Sequence, residues 1–109
     1  MKNDAQNELI NNKLSGWTEK TGEVLFAQAT QLARNGMFIQ AERALTLLST
    51  YTPSSVKVYL LLGKIYAQQK RYANAITQWQ HVLEIEPNNQ EAEAAVKKAN
   101  QKLRQIKSI

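Results

Sequence analysis

The sequence repeats its own pattern of residue types at an interval of 34 residues. When the chain is shifted by this distance, aromatic residues fall on aromatic residues, small residues on small residues, and proline on proline. The clearest pairs are Phe38 and Tyr72, Ala41 and Ala75, Ala29 and Gly63, Leu48 and Val82, and Pro53 and Pro87. A period of this length is typical of arrays in which one supersecondary unit stacks on the next. We therefore expect an array of such units rather than a single globular core.

The spacing of apolar residues predicts two helices in each unit. In the second unit, one stripe follows the i, i+3, i+4, i+7 spacing of an amphipathic helix, and a second stripe follows further on. The first stripe is Tyr59, Leu62, Gly63 and Tyr66, and the second is Tyr72, Ala75, Ile76, Trp79, Val82 and Leu83. A short polar segment, QQKR, separates them. ARNGMF holds the same place in the first unit, where Gly36 can form a left-handed helix end.

Prolines and small residues indicate where the helices end and how closely they pack. Pro53 and Pro87 cannot continue a helix interior, so each is expected to end a unit, with serine or asparagine capping the next helix. Asn88 and Glu91 have the spacing of a capping box. The small residues that would let two helices approach closely are Ala29, Gly63, Ala41 and Ala75.

The second unit resembles the tetratricopeptide repeat, a helix–turn–helix unit of about 34 residues. The residues that carry the resemblance are Tyr59, Leu62, Gly63, Tyr66, Tyr72, Ala75, Trp79 and Pro87. Residues 22–55 match the same pattern with departures, since Gln28 stands where leucine is usual and Leu32 replaces an aromatic residue. The resemblance implies an all-α fold, in which antiparallel helix–turn–helix repeats form a short right-handed superhelix, an α–α solenoid.

On this basis the chain divides into four parts. Residues 22–55 and 56–89 are the two repeats, and residues 90–109 resemble the helix that caps such arrays, with an apolar stripe and cationic outer faces. Residues 1–21 are expected to be partly ordered because asparagines disfavour a helix there, with Trp17 covering the open end of the first repeat. Two repeats bury little core, so this end must be closed by that segment, by self-association or by a partner.

The composition argues against catalysis and metal binding. The chain has 109 residues and no cysteine, which removes disulfides, thiolate metal sites and cysteine nucleophiles. The glycines are scattered and form no phosphate-binding loop. Glu84 and Glu86 point to different faces of a helix, and His81 has no second imidazole with which to share a metal. We therefore predict no enzymatic activity, no cofactor and no metal site.

The net charge of +5 comes entirely from the second half of the chain. Residues 1–55 carry five basic and five acidic side chains, whereas residues 56–109 carry nine and four. The cations of the last helix are spread around it with no exposed aromatic residue among them, so a solvated face is expected rather than a nucleic-acid site. The first residues contain no apolar run long enough for a signal or a membrane span, so we expect a cytoplasmic protein.

The resemblance also implies a concave groove, lined by the first helix of each repeat, that holds a peptide or a helix of a partner. The positions that would face the groove are Phe26, Thr30, Ala33, Arg34, Lys57, Leu60, Lys64, Ala67, Gln68 and Lys98, with Glu23 about one turn before Phe26, and Ala94 and Gln101 on the same helix as Lys98. Apolar residues with cationic edges suit an amphipathic segment that has hydrophobic anchors and acidic residues. The alternative is that Phe26 and Leu60 only pack against each other or against the N-terminal segment. Phe26 and Thr30 also stand where one subclass places a lysine and an asparagine to clamp a C-terminal carboxylate, so that clamp is not expected.

Two kinds of function remain open from the sequence. The first is a non-enzymatic protein–protein interaction module, a scaffold or adaptor that holds a partner segment. The second is a dedicated assembly or secretion chaperone, similar to the small type III secretion chaperones of this family. An adaptor is expected to be a stable monomer, whereas a chaperone is expected to be a homodimer or poorly soluble alone and to purify with its subunit.

Overall fold

The computed structural model describes residues 19–107, so most of the predicted N-terminal segment, including Trp17, lies outside the described residues. The described part is all-α. Its helices are α1 (Glu19–Arg34), α2 (Phe38–Tyr51), α3 (Val56–Gln68), α4 (Tyr72–Ile85) and α5 (Gln90–Lys107). Helices α1 and α2 form one hairpin and α3 and α4 form the next, while α2 packs on α3 and α5 packs on α4. The predicted helix–turn–helix array is therefore observed.

One continuous apolar core runs along the array. Every described helix contributes to it, and the described part has no buried polar or charged residue. The buried side chains are Ala29, Ala41, Leu45, Leu48, Val58, Leu62, Ile65, Tyr66, Ala75, Trp79, Val82, Ala92 and Ala99. Most of these were predicted from the two apolar stripes of each unit, because helical spacing places such residues on one face.

Equivalent turns close the two hairpins, although their sequences differ. Gly36 and Lys70, one repeat apart, both have a positive φ, of 74° and 61°. After α3, the Lys70 amide donates to the Ala67 carbonyl and the Arg71 amide to the Tyr66 carbonyl, each at 2.9 Å, which is the pattern of a Schellman motif. The prediction of a left-handed helix end at Gly36 is confirmed. Lys70 adopts the same conformation without the freedom of glycine.

The start of α5 differs from the expected capping box. Asn89, not Asn88, precedes the helix, and its Oδ1 accepts a hydrogen bond of 2.8 Å from the Ala92 amide. The other side of the Asn89 amide group donates to Glu86 Oε2 at 2.9 Å. The expected box of Asn88 and Glu91 is therefore wrong by one residue, because Asn88 lies within the turn after Pro87 and Asn89 directly precedes the helix.

The close approach of α3 and α4 depends on Gly63. A Cβ atom placed on Gly63 would lie within 2.7 Å of Cε2 and Cδ1 of Trp79, closer than carbon atoms can pack. The indole N–H of Trp79 also donates to the Leu60 carbonyl at 3.4 Å, so the large ring is satisfied as well as buried. The glycine thus makes room for the tryptophan, as the small-residue pattern predicted.

Candidate protein-binding groove

The predicted groove residues lie on α1, α3 and α5, the first helices of successive units. Five of them are half-buried and form the floor: Phe26, Thr30, Ala33, Leu60 and Ala67. The other five are exposed and form the edges: Arg34, Lys57, Lys64, Gln68 and Lys98. Helical spacing places the α1 members on one face of that helix, and the same holds for α3. The arrangement therefore combines an apolar floor with cationic edges.

The part of the groove between α1 and α3 is held by contacts within the chain. The Lys57 Nζ lies over the Phe26 ring, 4.8 Å from its centroid, which is a cation–π contact between the two units. The Thr30 hydroxyl donates to the Phe26 carbonyl at 2.9 Å, one helical turn earlier. Phe26 thus contacts Lys57 of the next unit, and both remain accessible to a partner.

The part of the groove between α3 and α5 is an open cavity of about 390 Å³. Four predicted groove residues line it: Lys64, Ala67, Gln68 and Lys98. The remaining lining residues are Tyr72, Trp79, Ala95, Ala99 and Lys102. The lining is apolar at the base, where α4 lies beneath the cavity, and cationic along the α3 and α5 walls. The structure therefore brings predicted residues of α3 and α5 together around one cavity.

Sequence reasoning missed part of this lining on α5. It placed Ala94 and Gln101 on the wall of the groove, but neither of them lines the cavity. Ala95, Ala99 and Lys102 line it instead. The signal was available, because these three residues and Lys98 follow the i, i+3, i+4, i+7 spacing of one helical face. The expected positions were carried over by the 34-residue period, whereas α5 presents a face shifted by one residue.

The lysines around the cavity have no acidic partner among the described residues. No carboxylate lines the cavity. Among residues 19–107, Arg71 forms an ion pair with Glu42 at 3.8 Å and the His81 ring lies 3.5 Å from the Glu84 carboxylate, and both contacts lie outside the cavity. The cationic walls are therefore available to compensate negative charge brought by a partner.

The two units are joined by a small polar cluster behind the groove. The Tyr66 hydroxyl of α3 donates to Glu42 Oε1 of α2 at 2.6 Å, and the Arg71 guanidinium lies 4.8 Å from the centre of the Tyr66 ring. Burial, together with the hydrogen bond to Glu42, raises the pKa of Tyr66 to about 12. The cluster fixes α2 against α3 and so helps to set the spacing of α1 and α3 at the groove.

The described residues contain neither a metal-binding cluster nor a membrane-spanning helix. His81 lies on the surface, with its ring 5.2 Å from that of Tyr59 and its Nδ1 close to Glu84. Residues 19–107 hold no cluster of three His, Cys, Asp or Glu side chains that could bind a metal. None of the helices in the same part of the chain is long and apolar enough to cross a membrane.

Comparison with known proteins agrees with the resemblance seen in the sequence. The sequence model of the tetratricopeptide repeat family matches residues 56–89. The chain is similar in structure to the tetratricopeptide domain of Arabidopsis OM64, with a TM-score of 0.69, 27% identity, and coverage of 92% of this chain and 84% of that one. It is also similar to a mutant of MamA, with a TM-score of 0.69, 18% identity, and coverage of 92% and 72%. No curated protein sequence matches.

The fold and the sequence match point to the same class of protein. The array is an α–α solenoid, and solenoids of this kind serve as non-enzymatic protein-interaction modules. Residues 56–89 form a tetratricopeptide repeat, and the array has the fold of tetratricopeptide domains. The predicted fold class is therefore confirmed, as is the predicted tetratricopeptide repeat over residues 56–89.

Proposed function

We propose that the chain is an adaptor or scaffold that holds one segment of a partner protein in the groove along α1, α3 and α5. The segment would be a peptide or an amphipathic helix with apolar anchors and acidic residues. The observation that carries the proposal is the distribution of burial and charge, with an apolar floor and cationic edges that form no ion pair among the described residues. Recognition of this kind uses a few apolar anchors for affinity and charge for orientation.

The experiment is capture of partners from the native source with the full chain and two charge-reversal variants. Lys64→Glu reverses an exposed charge on the groove. Arg43→Glu makes the same change at an exposed position on α2, away from the groove. We expect Lys64→Glu to lose a partner that both the unchanged chain and Arg43→Glu retain, with circular dichroism showing all three folded.

The outcome that would reject the groove is equal capture by both variants. If Lys64→Glu unfolds the array, Lys64→Ala and Lys57→Ala serve in its place, because both remove an exposed charge without introducing a new one. A partner whose capture is insensitive to all of these substitutions binds elsewhere on the chain.

The alternative proposal is a dedicated chaperone for an aggregation-prone subunit. Its support is the apolar surface of the first unit, where Val24 and Leu47 are each 50% exposed and Ile39 is 63% exposed. A chaperone would purify with its subunit in fixed stoichiometry and would be a homodimer or poorly soluble alone. Light scattering of the isolated chain separates the two proposals, because an adaptor is expected to be monomeric. The cytoplasmic location expected from the sequence stays a prediction that cell fractionation can test.

A further inference from the structure

We infer that the cavity between α3 and α5 is the anchor subsite of the groove, and that it takes one bulky apolar side chain flanked by side-chain carboxylates of an internal partner segment. This inference rests on the proposed function and names the chemistry of the bound segment. It concerns a cavity of about 390 Å³, near the lower end of the range for binding pockets and thus suited to one or two side chains.

The base of the cavity favours an apolar side chain. Trp79 is only 7% exposed, and its indole N–H already donates to the Leu60 carbonyl. It therefore offers a bound side chain an apolar surface rather than a hydrogen-bond donor. Tyr72 and the methyl groups of Ala95 and Ala99 complete the base. Burial of an apolar side chain there removes apolar surface of both partners from water.

The walls of the cavity favour carboxylates on both sides of that anchor. Lys64 projects from α3, and Lys98 and Lys102 lie one turn apart on α5. Like charges at i and i+4 of a helix are mutually destabilising, and no described acidic residue compensates them. An anionic partner would relieve this repulsion. Since the charges stand on two walls with the apolar base between them, they fit carboxylates that flank an anchor rather than one terminal carboxylate.

The test uses three synthetic peptides, each acetylated and amidated so that neither end carries a charge. The first has a central phenylalanine flanked by two glutamates on each side. The second replaces the glutamates with glutamines, and the third keeps the glutamates but replaces phenylalanine with serine. We expect titration calorimetry with the full chain to show that the first peptide binds at least tenfold more tightly than either of the others.

Two lysine variants distinguish a loss of peptide binding from a loss of stability. Lys98→Ala removes a wall charge, whereas Lys97→Ala removes the neighbouring exposed charge, which does not line this cavity. We expect Lys98→Ala to weaken binding of the first peptide at least fivefold without lowering the melting temperature of the unliganded chain. Lys97→Ala should leave the affinity unchanged.

The possible failures can be told apart. Equal binding of the three peptides, or an equal effect of the two lysine variants, would overturn the anchor subsite. If capture of a native partner still depends on Lys64 in that case, the groove remains the binding surface and only the chemistry assigned to this cavity is wrong. If the peptides do not bind and capture is also insensitive to Lys64, the proposed function fails together with the subsite.

Discussion

At the scale of single residues, equivalent positions in the two units fill the space between the paired helices with different pairs of side chains. The second unit pairs Gly63 with Trp79, whereas the first unit has Ala29 and Leu45 at the corresponding positions, and both Ala29 and Leu45 are fully buried. The smaller residue on the first helix thus accompanies the larger residue on the second. This reciprocity allows the two hairpins to keep the same architecture.

Gly63→Ala is therefore expected to destabilise the array. The added methyl group meets the Trp79 ring, and overpacking of this kind costs about 1–3 kcal/mol in the free energy of unfolding. The double variant Gly63→Ala with Trp79→Leu copies the pair of the first unit, so in it the methyl group should cost much less. Urea denaturation of the four members of this cycle measures the coupling. Additive free energies would contradict the proposed contact.

The sequence predicted the local structure where the residue type has one clear physical role. It did not predict the structure where the backbone conformation is independent of the residue type. Gly36 predicted a left-handed helix end because glycine adopts this conformation readily. Lys70 gave no such signal, although it has the same conformation and the same hydrogen bonds around it. Only the 34-residue correspondence with Gly36 links the two turns.

At the scale of elements, the helices and their buried faces were predictable, whereas the cap of α5 and its groove-facing residues were not. The apolar stripes predicted all of α1 to α5, because each stripe has the helical period over several turns. The helix was expected from residue 90 and begins at Gln90, but its capping residue was misassigned by one, since Asn88 and Asn89 are equally suited to cap a helix from sequence alone. In the groove wall, Ala95 takes the place expected for Ala94, which corresponds to a rotation of about 100° around the helix.

The cap of α5 can be tested with two neighbouring asparagines. Asn89→Ala removes the acceptor of the Ala92 amide and the contact with Glu86, so the free energy of unfolding should fall by about 1 kcal/mol. Asn88→Ala is the matched control and should have little effect, because Asn88 is exposed and lies outside the cap. Thermal denaturation followed by circular dichroism measures both. A larger loss for Asn88→Ala would show that the box predicted from the sequence forms in solution.

At the scale of the whole molecule, the two edges of the array differ from its interior in a way that follows the repeat. Leu62 and Ile65 are buried where the second unit meets the first, but their counterparts 34 residues earlier are Gln28 and Gln31, both exposed. At the other end, Lys97 of α5 takes the place of Gly63. Both ends of the described array thus carry exposed polar residues at positions that are buried in the second unit.

The 34-residue correspondence between the units also shows which features of the candidate groove could be predicted from the sequence. Its chemical character was predictable, because the family period marks which face of α1 and α3 is left uncovered by the next hairpin. The cavity was not, because it depends on how far α5 is rotated and how closely its alanines pack on α4. Trp79 was assigned to the core and is indeed almost fully buried, yet its remaining surface forms the base of the cavity.

The hydrogen bond between Tyr66 and Glu42, which joins the two units, should make the free energy of unfolding depend on pH in the alkaline range. The Tyr66 hydroxyl is buried and donates to Glu42, so the folded chain retains this proton up to a pKa of about 12, whereas an unfolded tyrosine loses it near pH 10. Between these values the folded state binds more protons than the unfolded state, so the free energy of unfolding falls as pH rises. The stabilisation from this group is therefore complete below about pH 10 and is lost by about pH 12.

Tyr66→Phe provides the reference for this measurement, because it removes the titrating hydroxyl and keeps the buried ring. At neutral pH the variant should be less stable by about 1 kcal/mol, the usual contribution of such a hydrogen bond. Urea denaturation of both chains from pH 8 to 12 should show the difference between them shrinking above pH 10, while the titration of lysines, common to both, cancels. Parallel stability curves across this range would contradict the raised pKa of Tyr66, and equal stability of the two chains at neutral pH would contradict the hydrogen bond to Glu42.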